Sequence, residues 1–316
     1  MAEKKSIYIN PLTDFGFKRL FGSEDNKKYL ISFLNALFRG EEKIVDVTYV
    51  DKEGIPDYRA DRALIYDIHC MTADNRKLIV EMQNRYQAHF DDRAIYYIAT
   101  DIVKQAVKGK EWDYSLIPVY GIFMMNFDWK DIGKDYRDFL ENSLIEPIAL
   151  VNLRTGRMFS NKMRMFFLKL PLMDKKPEEC EDLLDIWIYL FKNLENMNAI
   201  PQTFTERYNI FKDFGKSARV AALSKEERVA YEASLKAYRD NYAIAATERQ
   251  LGFAEGEAKG RAEGEAKGRA EGEAKGRAEG RIEEKLATAL NLKGLDIPAS
   301  IIAKATGLSI EEIEKM

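Results

Sequence analysis

The hydrophobic patterning predicts a mixed α/β domain, a sheet flanked by helices, followed by a helical C-terminal extension. Three observations carry this. Apolar residues recur at helical spacing from Asp14 to Phe38. Four segments rich in β-branched and aliphatic residues follow, three before the next helix and one after it. Beyond about residue 177 the patterning is helical and ends in a low-complexity tract.

In the first element Phe17, Leu20 and Phe21, then Leu30, Phe33, Leu34 and Leu37, share a helical face, with Gly22 as a point of interruption. Asp14 reads as its N-cap. "KIVDVTYVD", "ALIYDIHC" and "KLIVEMQ" read as strands, the last two joined through "MTADNRK", whose Ala-Asp-Asn centre suits a hairpin turn. "DDRAIYYIATDIVKQAVKG" reads as a helix closed by Gly109. The largely apolar "LIPVYGIFMMNF" reads as a central strand buried on both faces, and "IEPIALVNL" and "NKMRMFFLKL" as further strands. A helix starting at a Ser224/Glu227 capping box carries Tyr231, Leu235, Tyr238 and Tyr242 on one stripe.

Three copies of "AEGEAKGR" and then "AEGR" follow. Opposite charges alternate at i,i+4 and eight glycines lie between Gly252 and Gly280. Each such pair adds a few tenths of a kcal/mol, whereas each glycine costs about 1 kcal/mol relative to alanine. A lone helix here is marginal, so the tract is either a helix that orders against another copy of the chain or a disordered linker. The last segment is patterned as three short helices in a helix-turn-helix-like unit, with Leu286, Leu290, Ile301, Ile302, Leu308 and Ile313 as apolar positions, breaks at Gly294 and Gly307, and a Ser309/Glu312 capping box. The expected division is therefore 1–176 as an α/β core, 177–250 as a helical extension, 251–281 as the repeat tract and 282–316 as the small module.

With 316 residues, the chain can bury one sizeable core plus an appendage, or two domains. The opening "MAEKKSIYIN" has no apolar signal-like region, and no apolar stretch is long enough to cross a bilayer. Two cysteines and two histidines, without C-x-x-C spacing, argue against a disulfide framework and a structural zinc site, and point to the cytoplasm. The formal net charge of −3 does not favour nucleic acid, yet local patches decide such binding. From Asn152 to Lys176 lie Arg154, Arg157, Lys162, Arg164, Lys169, Lys175 and Lys176 against the single acid Asp174. This is either a phosphate-binding patch or a solvated sheet face.

The candidate chemistry lies on the hairpin. Asp67 and Glu81, fourteen residues apart about a turn at Ala73 to Asn75, fall near one another across the antiparallel pair. Gln83 shares a strand face with Glu81, and His69 with Asp67. Two such carboxylates repel unless a cation lies between them, and oxygen ligands without cysteine or a histidine pair favour Mg²⁺ or Mn²⁺. The main-chain carbonyl of Met82 would complete the protein's contribution. On spacing alone, ordinary polar residues on an exposed hairpin account for the pattern better than a metal site does. His69 is either a proton shuttle or an accessory polar residue. Arg93 and Tyr97 lie four apart on the following helix, and Tyr96 reads as a core aromatic.

"TDFGFKRLFGSEDNKKYLISFLNALF", "YDIHC" followed by "VEMQ", "RAIYYIATDIVKQ" and "YSLIPVYGIFMMNF", taken together and in order, resemble the PD-(D/E)XK nuclease family transposases. The likeness extends to "LSKEERVAYEASLKAYRDN", the repeat tract and the terminal "TGLSIEEIEKM". The resemblance implies a restriction-endonuclease-like fold and Mg²⁺- or Mn²⁺-dependent hydrolysis of DNA, linked to recombination or mobile elements. It makes Asp67 and Glu81 the metal-binding acids, joined by the Met82 carbonyl, and puts Gln83 where many relatives have lysine. An amide supplies no charge and cannot act as a base, so Lys18, Arg85 or Arg93 is expected to provide the missing cation. Lys18, Arg85, Arg93, Tyr97, Lys162 and Arg164 are the expected DNA contacts. A second reading is a catalytically weak, DNA-binding or oligomerising derivative. The expected partners are DNA and further copies of the chain, as a homodimer or higher homo-oligomer, with no membrane.

Overall fold

A computed structural model describes residues 6–50, 67–85, 87, 89–106, 113–127 and 143–316. The first helical run is split. The cap of α1 (Asp14–Phe21) is Thr13 rather than Asp14: its hydroxyl accepts the N–H of Gly16 at 3.0 Å, and Asp14 is the first helical residue. Gly22 ends α1, and one 3-10 turn leads into α2 (Lys27–Leu37).

The strands are β1 (Val47–Tyr49), β2 (Ile68–Thr72), β3 (Lys77–Gln83), β4 (Val119–Met125), β5 (Ile145–Val151) and β6 (Met158–Lys169). They form one sheet in the order β1-β2-β3-β4-β6-β5. The β2–β3 hairpin turns where the sequence predicts, with Asn75 at φ 64° and the Thr72 hydroxyl accepting the N–H of Arg76 at 3.0 Å. Residues 63–66 of the expected second strand lie outside the described residues. The β3–β4 and β4–β6 pairs are parallel, while β1–β2, β2–β3 and β5–β6 are antiparallel. All of β4 is buried, as its apolar run and its place between two parallel neighbours require.

The crossover from β3 to β4 contains α3 (Phe90–Val103). This helix stops well short of Gly109, which lies outside the described residues. The physical reason is Gln105, whose amide leaves the helix and pairs with both main-chain groups of Ile117, at 2.8 and 3.2 Å. Ile117 lies just before β4, so the contact clips the helix end to the sheet.

The sheet register sorts side chains onto two faces. Leu78, Val80, Tyr120, Ile122, Phe166 and Leu168 join α1 and α2 in the larger core, together with α4 (Leu183–Asn193), α5 (Gln202–Arg207) and α6 (Ile210–Ser217). The helices after residue 176 thus share this core with the sheet. Trp187 lies at its centre, 5.7 Å from the Phe21 ring and 4.9 Å from that of Phe211. Each buried ring of this kind contributes about 2 kcal/mol of hydrophobic stabilisation. The opposite face carries Ile79, Phe123, Met165 and Phe167 beneath Phe90, Ala94 and Ile98 of α3. At Gly121 the helix approaches so closely that a Cβ would stand 2.9 Å from the Ile98 Cδ1 and 2.5 Å from the Phe123 ring.

The chain divides into two compact units, residues 1–243 and 244–316. The last helix of the first unit is the start of α7 (Lys225–Lys293), and the Ser224/Glu227 box closes reciprocally at 2.8 and 3.1 Å. Tyr231, Leu235 and Tyr238 pack into the large core, but Tyr242 is 71% exposed, so the apolar stripe ends before it. In the second unit the repeat tract is helical and exposed, with i,i+4 ion pairs such as Arg277–Glu273 at 3.5 Å. Its small core is Ala289, Ile302 and Ile313, with α8 (Ala299–Thr306) and α9 (Ile310–Glu314). Leu290 and Ile301, expected inside, are exposed. The Ser309/Glu312 box forms, and Gly307 at φ 71° ends α8. Among the described residues no helix is long and apolar enough to cross a membrane.

Candidate active site

Pairing of Ile68 with Val80 brings Asp67, the residue before β2, opposite Glu81 near the end of β3. Side chain and backbone then interlock. The N–H of Asp67 donates to Glu81 Oε1 at 3.2 Å, and the N–H of Met82 donates to Asp67 Oδ2 at 2.8 Å. Each acid is thereby fixed by the main chain of the opposite strand. Glu81 is buried, on the face covered by α3. Burial first, and the charge of Asp67 second, push its carboxyl up to about 8, against the Asp67 N–H and the Arg93 and Lys18 charges, which act downward.

Two cations reach this pair. Lys18, on α1, has its Nζ 3.7 Å from Asp67 Oδ1 and also pairs with Asp14 one helical turn earlier. Arg93, in the first turn of α3, donates from one terminal nitrogen to Gln83 Oε1 at 2.8 Å and from the other to Gln87 Oε1. Its guanidinium lies 5.0 Å from the Phe90 ring centre and 5.9 Å from that of Tyr97. Its Nε is buried and has no partner among the described residues. Gln83 is held at both ends, since its NH₂ donates to the carbonyl of Arg85 at 2.8 Å. Gln83 therefore acts as a bracket for Arg93. Tyr97 sits one turn beyond Arg93, half-buried, while Tyr96 is 59% exposed and not the core aromatic expected.

The other expected contacts fall elsewhere. Arg85 is exposed, and its carbonyl accepts from the Gln83 amide. Arg164 is in register with Tyr120 and Leu78, on the face opposite Glu81, where it pairs with Glu41 at 2.9 Å and lies over the Tyr120 and Phe166 rings. Lys162 stands two residues earlier on β6, also away from the acids.

One pair went unread in the sequence. Asp101 is almost completely buried on α3, two turns beyond Arg93, and its Oδ2 lies 2.7 Å from His69 Nε2. Burial pushes this carboxyl up, but the His69 contact and the charges of His69, Lys77 and Lys104 prevail and hold it below the usual carboxylate range. Arg93, Tyr97 and Asp101, at i, i+4 and i+8, form one polar line across β2 and β3. That spacing was the available signal.

The donor set suits a hard divalent cation. Among the described residues no group of three or more His, Cys, Asp and Glu side chains is arranged to hold a metal. By donor type the two carboxylates nevertheless suit Mg²⁺, which keeps several of its waters and takes one or two carboxylates. Such an ion would displace the proton that burial and Asp67 favour on Glu81.

A mixed sheet with parallel centre, helices on both faces and paired acids at a strand end defines a restriction-endonuclease-like fold. The family model of the PD-(D/E)XK nuclease family transposases matches residues 11–248, and the chain belongs to that family. The match stops before the repeat tract, so the likeness read there and in the C-terminal module lies outside it. Neither the curated proteins nor the solved structures give a match.

Proposed function

We propose that this protein is a metal-dependent endonuclease that hydrolyses phosphodiester bonds in DNA. The reading is carried by Asp67 and Glu81, locked against each other's strands with Lys18 and Arg93 alongside. Asp67, Glu81 and the Met82 carbonyl would hold Mg²⁺ or Mn²⁺. When bound, the ion supplies Lewis-acid polarisation of a phosphoryl oxygen and lowers the pKa of water. The protein's own residues perform the rest. Lys18 and Arg93 place positive charge where charge builds on the phosphoryl oxygens. Arg93 takes over the electrostatic part of the missing lysine, but it cannot act as a base. Gln83 and Gln87 fix the guanidinium's orientation, and Tyr97 backs it. In the net reaction water adds at phosphorus and gives up one proton to solvent, the P–O bond to one sugar oxygen breaks, and the departing oxygen takes up a proton from solvent. Use in recombination or mobile elements follows from the family alone.

The test is incubation of supercoiled plasmid with the protein and Mg²⁺ or Mn²⁺, beside Asp67→Ala and Glu81→Gln. Nicking or linearisation by the wild type, lost in both variants, is expected. Equal cleavage by all three would overturn the assignment. The occupied amide of Gln83, with no lysine at its position, favours one second reading, a weakly active or silent DNA-binding derivative. Binding without cleavage is its signature.

A further inference from the structure

The β5–β6 hairpin displays what folded surfaces usually hide. Its turn is tightly built: Asn152 Oδ1 accepts the N–H groups of Arg154 and Thr155 at 3.0 and 3.1 Å, the Asn152 N–H donates to Arg157 O at 2.8 Å, and Gly156 adopts φ +67°. On this rigid tip Leu153 is 97% exposed, and Phe159 at the base of the turn is 80% exposed. Arg154 and Arg157 flank them, also exposed, and Lys162 follows. None of these three cations has an acidic partner among the described residues, and the sequence has no acid between Glu146 and Asp174. Exposed apolar groups set among unopposed cations suit a polyanion with a groove.

The register gives the direction. Glu146 pairs with Phe167, which lies level with Phe123 and Glu81. Leu153 lies beyond the end of β5, seven residues further along the chain, on a hairpin whose nearer strand, β6, is two places from β3 in the sheet.

We propose that this hairpin is a second DNA contact, resting on the nuclease reading above. Arg154 and Arg157 take backbone phosphates, while Leu153 and Phe159 bury against the groove between them. The hairpin thus holds the duplex to one side of the cut.

The experiment measures affinity of the full chain, silenced by Asp67→Ala, for a duplex of about 30 base pairs across a salt series. The hairpin variants are R154A/R157A, R154K/R157K and L153S/F159S. In R154A/R157A the slope of log affinity against log salt should fall by about two, and affinity at least tenfold. R154K/R157K should retain the slope, which separates lost charge from lost folding. L153S/F159S should weaken binding at unchanged slope. Unchanged affinity in both R154A/R157A and L153S/F159S would overturn the hairpin proposal, and plasmid cleavage by the wild type would then leave the nuclease reading standing. Arginine-dependent binding without plasmid cleavage by the wild type would support the hairpin and remove the nuclease assignment. A change of oligomeric mass in L153S/F159S with intact DNA affinity would make the tip a self-contact and overturn the proposal.

Discussion

At Glu81 the folded, metal-free protein holds a proton that the unfolded chain releases. Its carboxyl titrates at about 8 when folded, against an ordinary value of 4.5. Between those values the folded state binds more protons, so stability falls as pH rises through the window. Melting of the wild type in EDTA should therefore drop between about pH 5 and pH 8, and Glu81→Gln should flatten that fall. Equal slopes in the two proteins would show that another group is responsible. Asp101 has the opposite sign: its lowered value contributes stability above the ordinary carboxylate range and loses it in acid. At Arg93, replacement by alanine should cut plasmid cleavage by about 10²-fold, the usual loss for one positioned donor, with partial recovery in Arg93→Lys. Cleavage at the wild-type rate in Arg93→Ala would end its role. The juxtaposition of Asp67 and Glu81, with Gln83 on the same strand face, was legible because a strand has a period of two and a hairpin mirrors its register. The Asp101–His69 contact was not, since it depends on where α3 crosses the sheet. The same holds for the choice of Lys18 and Arg93 over Arg85.

Among the elements, the hairpin, the all-buried β4 and both capping boxes followed from local chemistry. The end of α3 did not, because Gln105 finds its partner at Ile117, across the crossover. Nor did the parallel placement of β6 beside β4, which depends on packing between distant segments. The repeat tract tests the balance of local terms directly. Its helix has ion pairs at 3.5 to 3.9 Å, and a methyl at Gly264 would meet nothing within 4 Å. Circular dichroism of the isolated tract should show low helicity when dilute. Gly264→Ala should raise it, by about 1 kcal/mol per site in helix free energy. If the tract orders against another copy, helicity of the unmodified peptide should climb with concentration. Strong, concentration-independent helicity would contradict that reading.

Taken as a whole, the molecule keeps its large core within residues 1–243, and the family match ends close by, at 248. A chain ending at Ala243 should melt within a few degrees of the full protein by calorimetry. A loss of cooperative melting would show that the second unit supports the first. The mixed α/β character of the sheet and its flanking helices was readable from sequence, because strand and helix each carry their own apolar period. Participation of Trp187, Phe191 and Phe211 in the sheet's core was not, since helical periodicity does not say what a helix covers. The tight contact at Gly121 reaches across this architecture. A single added methyl there would meet the Phe123 ring first and the tip of Ile98 next, pressing on the packing between β4 and α3 while leaving every charged or polar group chemically intact. Misplacement by about 1 Å can slow an enzyme a hundredfold. On the proposed nuclease reading, cleavage would be sensitive to a clearance set by one hydrogen atom, and a lineage could fall silent through it with all its acids in place.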